Sequence, residues 1–116
     1  MSKALQIVIV TAGLTVAAPL PAAAANGAAA WVKEYPRSDG SPARSCATCH
    51  TADLTKTGKH AKTRKPIEPL APSVNPQRLT DKKKVAKWLL RNCRWTLGRE
   101  CTAAEKTAFI SYIKSQ

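Results

Sequence analysis

The stretch Ser45-Cys46-Ala47-Thr48-Cys49-His50 constrains this chain more than any other. Two cysteines separated by two residues and followed at once by a histidine are what covalent attachment of a c-type haem requires. Each thiol adds to a vinyl group, and the neighbouring imidazole takes the iron. The spacing is geometric: the thiols clamp one edge of the porphyrin and fix its rotation, so the next side chain swings under the metal. Cys46 and Cys49 are the expected thioether anchors, and His50 is the expected proximal metal ligand. Two other chemistries use such a pair. A tetrahedral zinc site would need the adjacent Cys49 and His50 to reach one ion, and the remaining cysteines, Cys93 and Cys101, form no second knuckle. A thioredoxin-type dithiol would need a strand leading into it, whereas Tyr35-Pro-Arg-Ser-Asp-Gly-Ser-Pro42 is loop chemistry.

At 116 residues the chain is long enough for one domain. Met1 to about Ala25 reads as a secretory signal: Lys3 is its only charge, an apolar run follows from Ala4 to Val16, and Pro19 to Ala25 ends in small residues. The run is short and alanine-rich for a membrane span, and cleavage is expected near Ala23 to Ala25. The organisation is therefore a signal peptide over 1–25, a short helix and loop over 26–45, and a haem domain over 46–116. Thioether haem and a stable disulfide both belong to an oxidising compartment, so the periplasm is the expected location.

The formal net charge is +12, which becomes +11 without the signal lysine. Such a field on a small domain points to an acidic partner or an anionic surface. Nucleic acid is not expected, since no recognition motif is present and aromatics are few. A basic surface suits docking onto an acidic redox partner such as a multi-haem or membrane cytochrome. A monomer is expected. Its few large apolar side chains build a marginal core, which a buried haem and a disulfide would complete.

Ala28 to Tyr35 is enough for a short helix that Pro36 closes. Pro66, Pro69, Pro72 and Pro76 forbid a long helix in the segment from Thr51 to Pro76, which is expected to wrap the haem edge with Ile67, Leu70 and Val74 facing inward. Thr80 is the expected N-cap of a helix from Asp81 to about Asn92, whose apolar stripe is Val85, Trp88 and Leu89. Lys82, Lys83, Lys84, Lys87 and Arg91 cover its other faces and make the densest basic patch. Cys93 and Cys101, eight apart in an exported chain, are expected to pair. Thr102-Ala-Ala-Glu105 is a capping box, opening a last helix over Ala103 to Lys114 with Phe109, Tyr112 and Ile113 on one face.

Methionine, the usual second axial ligand of an electron-transfer cytochrome, occurs only as Met1, which would leave with the signal. His60, Asn92, a lysine, water and an open site remain. Asn92 occupies the i+7 position of the apolar stripe, where a core residue was due, and a buried amide needs a partner.

The blocks Cys46-Ala-Thr-Cys-His50, Thr63-Arg-Lys-Pro-Ile-Glu-Pro-Leu-Ala-Pro-Ser73, Arg78-Leu-Thr-Asp81, Lys87-Trp-Leu89 and Arg91-Asn-Cys93, followed by Gly98-Arg-Glu-Cys-Thr102, span about two thirds of the chain in order. Together they resemble the sphaeroides haem protein (SHP) group of c-type cytochromes. The resemblance implies an all-α, class I cytochrome c-like mono-haem fold and a high-spin haem c. It also implies an asparagine that ligates oxidised iron and moves away on reduction, which lets oxygen or nitric oxide bind. On this sequence that residue is Asn92, a second metal ligand beside His50, and His60 matches no ligand position. The group begins with a longer N-terminal helix that crosses the C-terminal one, so a shortened or absent crossing is expected here.

The expected function is a periplasmic electron-transfer cytochrome with a labile Asn92. The competing expectation is a module that senses or captures a diatomic gas without passing electrons on. No enzyme is expected, because no side chain stands out as a positioned proton donor.

Overall fold

In a computed structural model that describes residues 7–116, the order of elements is α1 (Ala22–Val32), α2 (Ala47–His50), β1 (Gly58–Lys59), β2 (Pro66–Ile67), α3 (Lys82–Leu97) and α4 (Ala103–Lys114). Lys3 and the first residues of the apolar run, 4–6, lie outside the described residues. Residues 7–20 form no helix or strand, and Ile7, Val8, Ile9, Val10, Leu14 and Val16 are all exposed. Among the described residues no helix is long and apolar enough to cross a membrane.

The N-terminal helix begins at Ala22, six residues before the expected start, because the alanines around Asn26 are strong helix formers. It also stops earlier, at Val32. Lys33 turns extended, and Tyr35 leaves the helix to exchange backbone hydrogen bonds with Arg44 at 2.8 and 3.0 Å. The crossing, expected to be shortened or absent, is present, since α1 packs across α4. The crossing is close because Gly27 has no side chain: a Cβ there would lie 2.7 Å from the Ala108 carbonyl carbon and from Tyr112 Cβ.

Trp31, one helical turn further on, carries the core away from this crossing. Its ring meets Phe109 edge-on at 6.2 Å, Tyr112 at 5.8 Å and His50 at 5.7 Å. Leu54, Ala71, Cys93, Cys101 and Ile113 complete the buried cluster. Phe109, Tyr112 and Ile113 are buried on one face of α4 as expected, and the capping box closes with Glu105 N to Thr102 Oγ1 at 3.2 Å and Thr102 N to Glu105 Oε1 at 2.9 Å.

Helix α3 departs from its expected limits at both ends. Asp81, not Thr80, caps it, accepting from Lys83 N at 3.0 Å and Lys84 N at 3.1 Å, while the Thr80 hydroxyl donates to the Gln77 carbonyl. The helix runs past Asn92 to Leu97, where Gly98 takes the left-handed conformation (φ 79°) that ends it. Cys93 is therefore inside the helix, and its disulfide with Cys101 ties the last turns of α3 to the entry of α4. The partly buried Arg37 and Arg44 both donate to the Trp95 carbonyl, at 2.8 and 3.0 Å. They fasten the loop that leads into α2 to the negative end of α3.

Candidate haem site

The Cys-x-x-Cys-His turn is built locally. Ser45 N donates to Thr48 Oγ1 at 2.9 Å and Thr48 N donates to Ser45 Oγ at 3.2 Å, a reciprocal pair that starts α2. His50 N then donates to Cys46 O at 3.1 Å, and Thr51, at φ 66°, ends the turn. Two elements hold this turn from outside. Trp31 Nε1 donates to Thr51 O at 3.0 Å. Gly58 of β1 lies against the other side so closely that an added Cβ would come within 3.0 Å of His50 Cα and closer still to the Cys49 carbonyl oxygen. Nothing in the sequence beyond a glycine in a polar stretch signalled that packing. The two-residue ladder that carries it, Gly58 opposite Ile67 and Lys59 opposite Pro66, lies in a segment read as irregular.

Cys46, Cys49, His50 and Asn92 all line one cavity of about 620 Å³. Its wall is mostly apolar, with Trp31, Ile67, Leu70, Val85, Leu89, Phe109 and Ile113 among its members. Burial pushes the Cys46 thiol up to about 12, so at neutral pH it is a protonated thiol and not the thiolate of an exchange dithiol. Burial also pushes the His50 imidazole down to about 4, with the nearby Arg78 charge adding to the effect. His50 is therefore neutral at neutral pH, with a nitrogen lone pair available.

The N-cap and one face of α3 contribute to this wall: Asp81, Val85, Trp88, Asn92 and Thr96 recur at helical spacing. Asn92 lies inside the helix, so its amide has no end to cap; it lines the cavity and is exposed, not buried as its place on the apolar stripe suggested. Trp88 is 53% exposed and is covered by cations, with Arg91 5.4 Å and Lys87 6.0 Å from its ring centroid. The expected inward set of the proline-rich segment is half corrected: Ile67 and Leu70 line the cavity, but Val74 is 54% exposed and the buried residue is Ala71. Ala71 is drawn in because its N–H donates to Leu54 O at 3.0 Å.

His60 also lines the cavity, beside Trp95 at a ring separation of 6.1 Å. Its Nδ1 accepts from Lys62 N at 3.2 Å and Thr63 N at 3.1 Å, which turns that nitrogen toward its own loop. Among the described residues no group of three or more His, Cys, Asp or Glu side chains is arranged to hold a metal ion by itself.

Residues 17–113 match a family described as a domain of unknown function (DUF1924). The chain is 43% identical over 106 residues to cytochrome c-type protein SHP of Cereibacter sphaeroides, covering 90% of this chain and 80% of that one. The chain belongs to the SHP-like family of c-type cytochromes. Its fold matches the structure of oxidised SHP, an oxygen-binding cytochrome c, with a TM-score of 0.73 at 42% identity over 85% of each chain. It also matches oxidised cytochrome c'' from Methylophilus methylotrophus, with a TM-score of 0.72 at 34% identity over 80% of this chain and 75% of that one. As a c-type cytochrome the protein carries haem c, bound covalently with its iron. The cavity fits that group: its wall is apolar, it offers two unpaired cysteines, and a neutral imidazole stands next to them.

Proposed function

We propose that Cys46 and Cys49 anchor the haem, that His50 is its proximal ligand, and that Asn92 is a labile ligand on the opposite side. The observation that carries this reading is that all four side chains line the same cavity. Haem c supplies a one-electron ferric/ferrous couple and, where its sixth position is free, a site for a diatomic gas. His50 suits the proximal role because burial keeps it neutral. Asn92 suits the labile role because an amide oxygen is a weak neutral donor, compatible with ferric iron and released on reduction, leaving room for oxygen or nitric oxide. Oxygen binding by the SHP relative supports the same reading.

The cytochrome is proposed to act in the periplasm, exchanging electrons with an acidic redox partner. Residues 1–25 would direct export. Within them the exposed apolar side chains of residues 7–20 contribute nothing to the core, whereas Ala24 of α1 is buried. Cleavage near Ala23 to Ala25 would fall within the first turn of α1, which starts at Ala22. The exposed Lys82, Lys83, Lys84, Lys87 and Arg91 lie along the helix that walls the cavity, and this favours electron exchange over a module that only senses gas. No residue is assigned a catalytic role. Carbon monoxide titration of the reduced protein tests the gate. Uptake by the ferrous form is expected, and a ferrous protein that stays six-coordinate and takes up no carbon monoxide contradicts it.

A further inference from the structure

The proline-rich segment cannot brace itself. Pro66, Pro69, Pro72 and Pro76 lack N–H donors, yet the carbonyls between them still need partners. One side chain supplies two of these. Arg78 Nε donates to the Pro69 carbonyl at 3.0 Å and Arg78 Nη2 donates to the Glu68 carbonyl at 3.0 Å. Asn75 Nδ2 joins it on Pro69 at 3.1 Å. These carbonyls immediately precede Leu70, which lines the haem cavity, so the guanidinium holds that part of the wall in place. A lysine has no fork that could span two successive carbonyls in this way.

Arg78 itself lines the cavity with His50. It is partly buried, and two hydrogen bonds to backbone carbonyls fix where its charge sits. The other charged side chains on that wall, Asp81, Lys84 and Arg91, are exposed and so better screened by water and salt. A positive charge fixed by two hydrogen bonds in a partly buried wall disfavours a centre that gains positive charge on oxidation.

We propose that Arg78 is a positioning residue with two effects: it braces the Glu68–Leu70 wall of the haem cavity, and its fixed charge biases the haem toward the ferrous state. The inference rests on the reading of the cavity as the haem site. It is separable from that reading, because an alkaline pyridine spectrum of the wild-type protein reports thioether-linked haem before any variant is compared.

The test uses purified holoprotein of Arg78→Lys and Arg78→Gln. Both lose the fork, and only the second loses the charge. Both variants are expected to melt at a lower temperature than wild type. At a fixed applied potential the ferric-to-ferrous ratio of Arg78→Gln is expected to rise about tenfold, equivalent to about 59 mV for a one-electron couple. That of Arg78→Lys stays within about twofold of wild type on the same reasoning. Equal ratios in the two variants overturn the electrostatic role, and unchanged melting in both overturns the brace. Asn75→Leu, which removes the companion bond to Pro69 and no charge, gives a further measurement should Arg78→Gln not accumulate. It is expected to melt earlier with its ratio unchanged, and a rise in the ratio overturns the assignment of the bias to charge.

Discussion

Replacing Gly27 by alanine sets two effects of known sign against each other. Alanine is the better helix former by about 1 kcal/mol, so on an isolated helix the change would stabilise. In this fold the new Cβ would stand 2.7 Å from the Ala108 carbonyl carbon and from Tyr112 Cβ, and nearer still to the Ala108 oxygen. Most of these are backbone atoms that no rotamer change can move, so α1 and α4 have to separate. Restoring an ordinary carbon contact requires a displacement of the order of 1 Å, and a gap of that size forfeits a quarter to a half of each dispersion contact at the crossing. Overpacking of this kind costs about 1–3 kcal/mol, and Trp31 would be pulled from Phe109 and Tyr112 at the same time. The expected result is a net loss of about 1–2 kcal/mol, and for a domain this small each kcal/mol lowers the melting temperature by about 4–8 °C. Thermal unfolding of the holoprotein, followed by far-ultraviolet circular dichroism, measures it. A variant that melts higher than wild type would refute a close crossing at Gly27.

Reducing the Cys93–Cys101 disulfide, or replacing both cysteines by serine, is expected to cost about 2–3 kcal/mol by freeing a short loop in the unfolded chain, read from denaturant midpoints. Replacing Trp31 by phenylalanine removes the bond from its Nε1 to the Thr51 carbonyl and is expected to cost about 1 kcal/mol in the same assay. Glu105 gives a pH dependence. The Arg99 guanidinium and then the Thr102 N–H hold its carboxyl at about 2, below the ordinary 4.5. Its stabilisation is therefore full above pH 4.5 and is lost as the pH falls toward 2. Glu105→Gln should be less stable than wild type at pH 7, and denaturation at a series of pH values should show the difference shrinking through that window.

The sequence disclosed the parts of the site whose chemistry is local. Cys46, Cys49 and His50 stand next to one another, the eight-residue disulfide forms as its spacing implied, and the Thr102 capping box fixes the start of α4 to the residue. Boundaries set by distant partners were not legible. Tyr35 leaves α1 because Arg44 offers it two backbone hydrogen bonds, and α3 continues past Asn92 because Cys93 is held inside it by Cys101. The early start of α1 at Ala22 was hidden because a run of alanines suits a cleavage region and a helix equally well. Gly58 and Arg78 act on atoms 8 to 10 residues away in the chain, across loops with no periodicity to reveal the contact. Val74 was read as inward because it is apolar, whereas the carbonyl of Leu54 selects Ala71.

The central claim, that Asn92 faces the iron opposite His50, is tested most directly by the visible spectrum of the oxidised protein beside that of Asn92→Ala. A ferric spectrum that changes in the variant, as a lost axial ligand requires, is the predicted result. Identical low-spin spectra would remove Asn92 from the iron and return His60, the other histidine on the cavity wall, as its ligand.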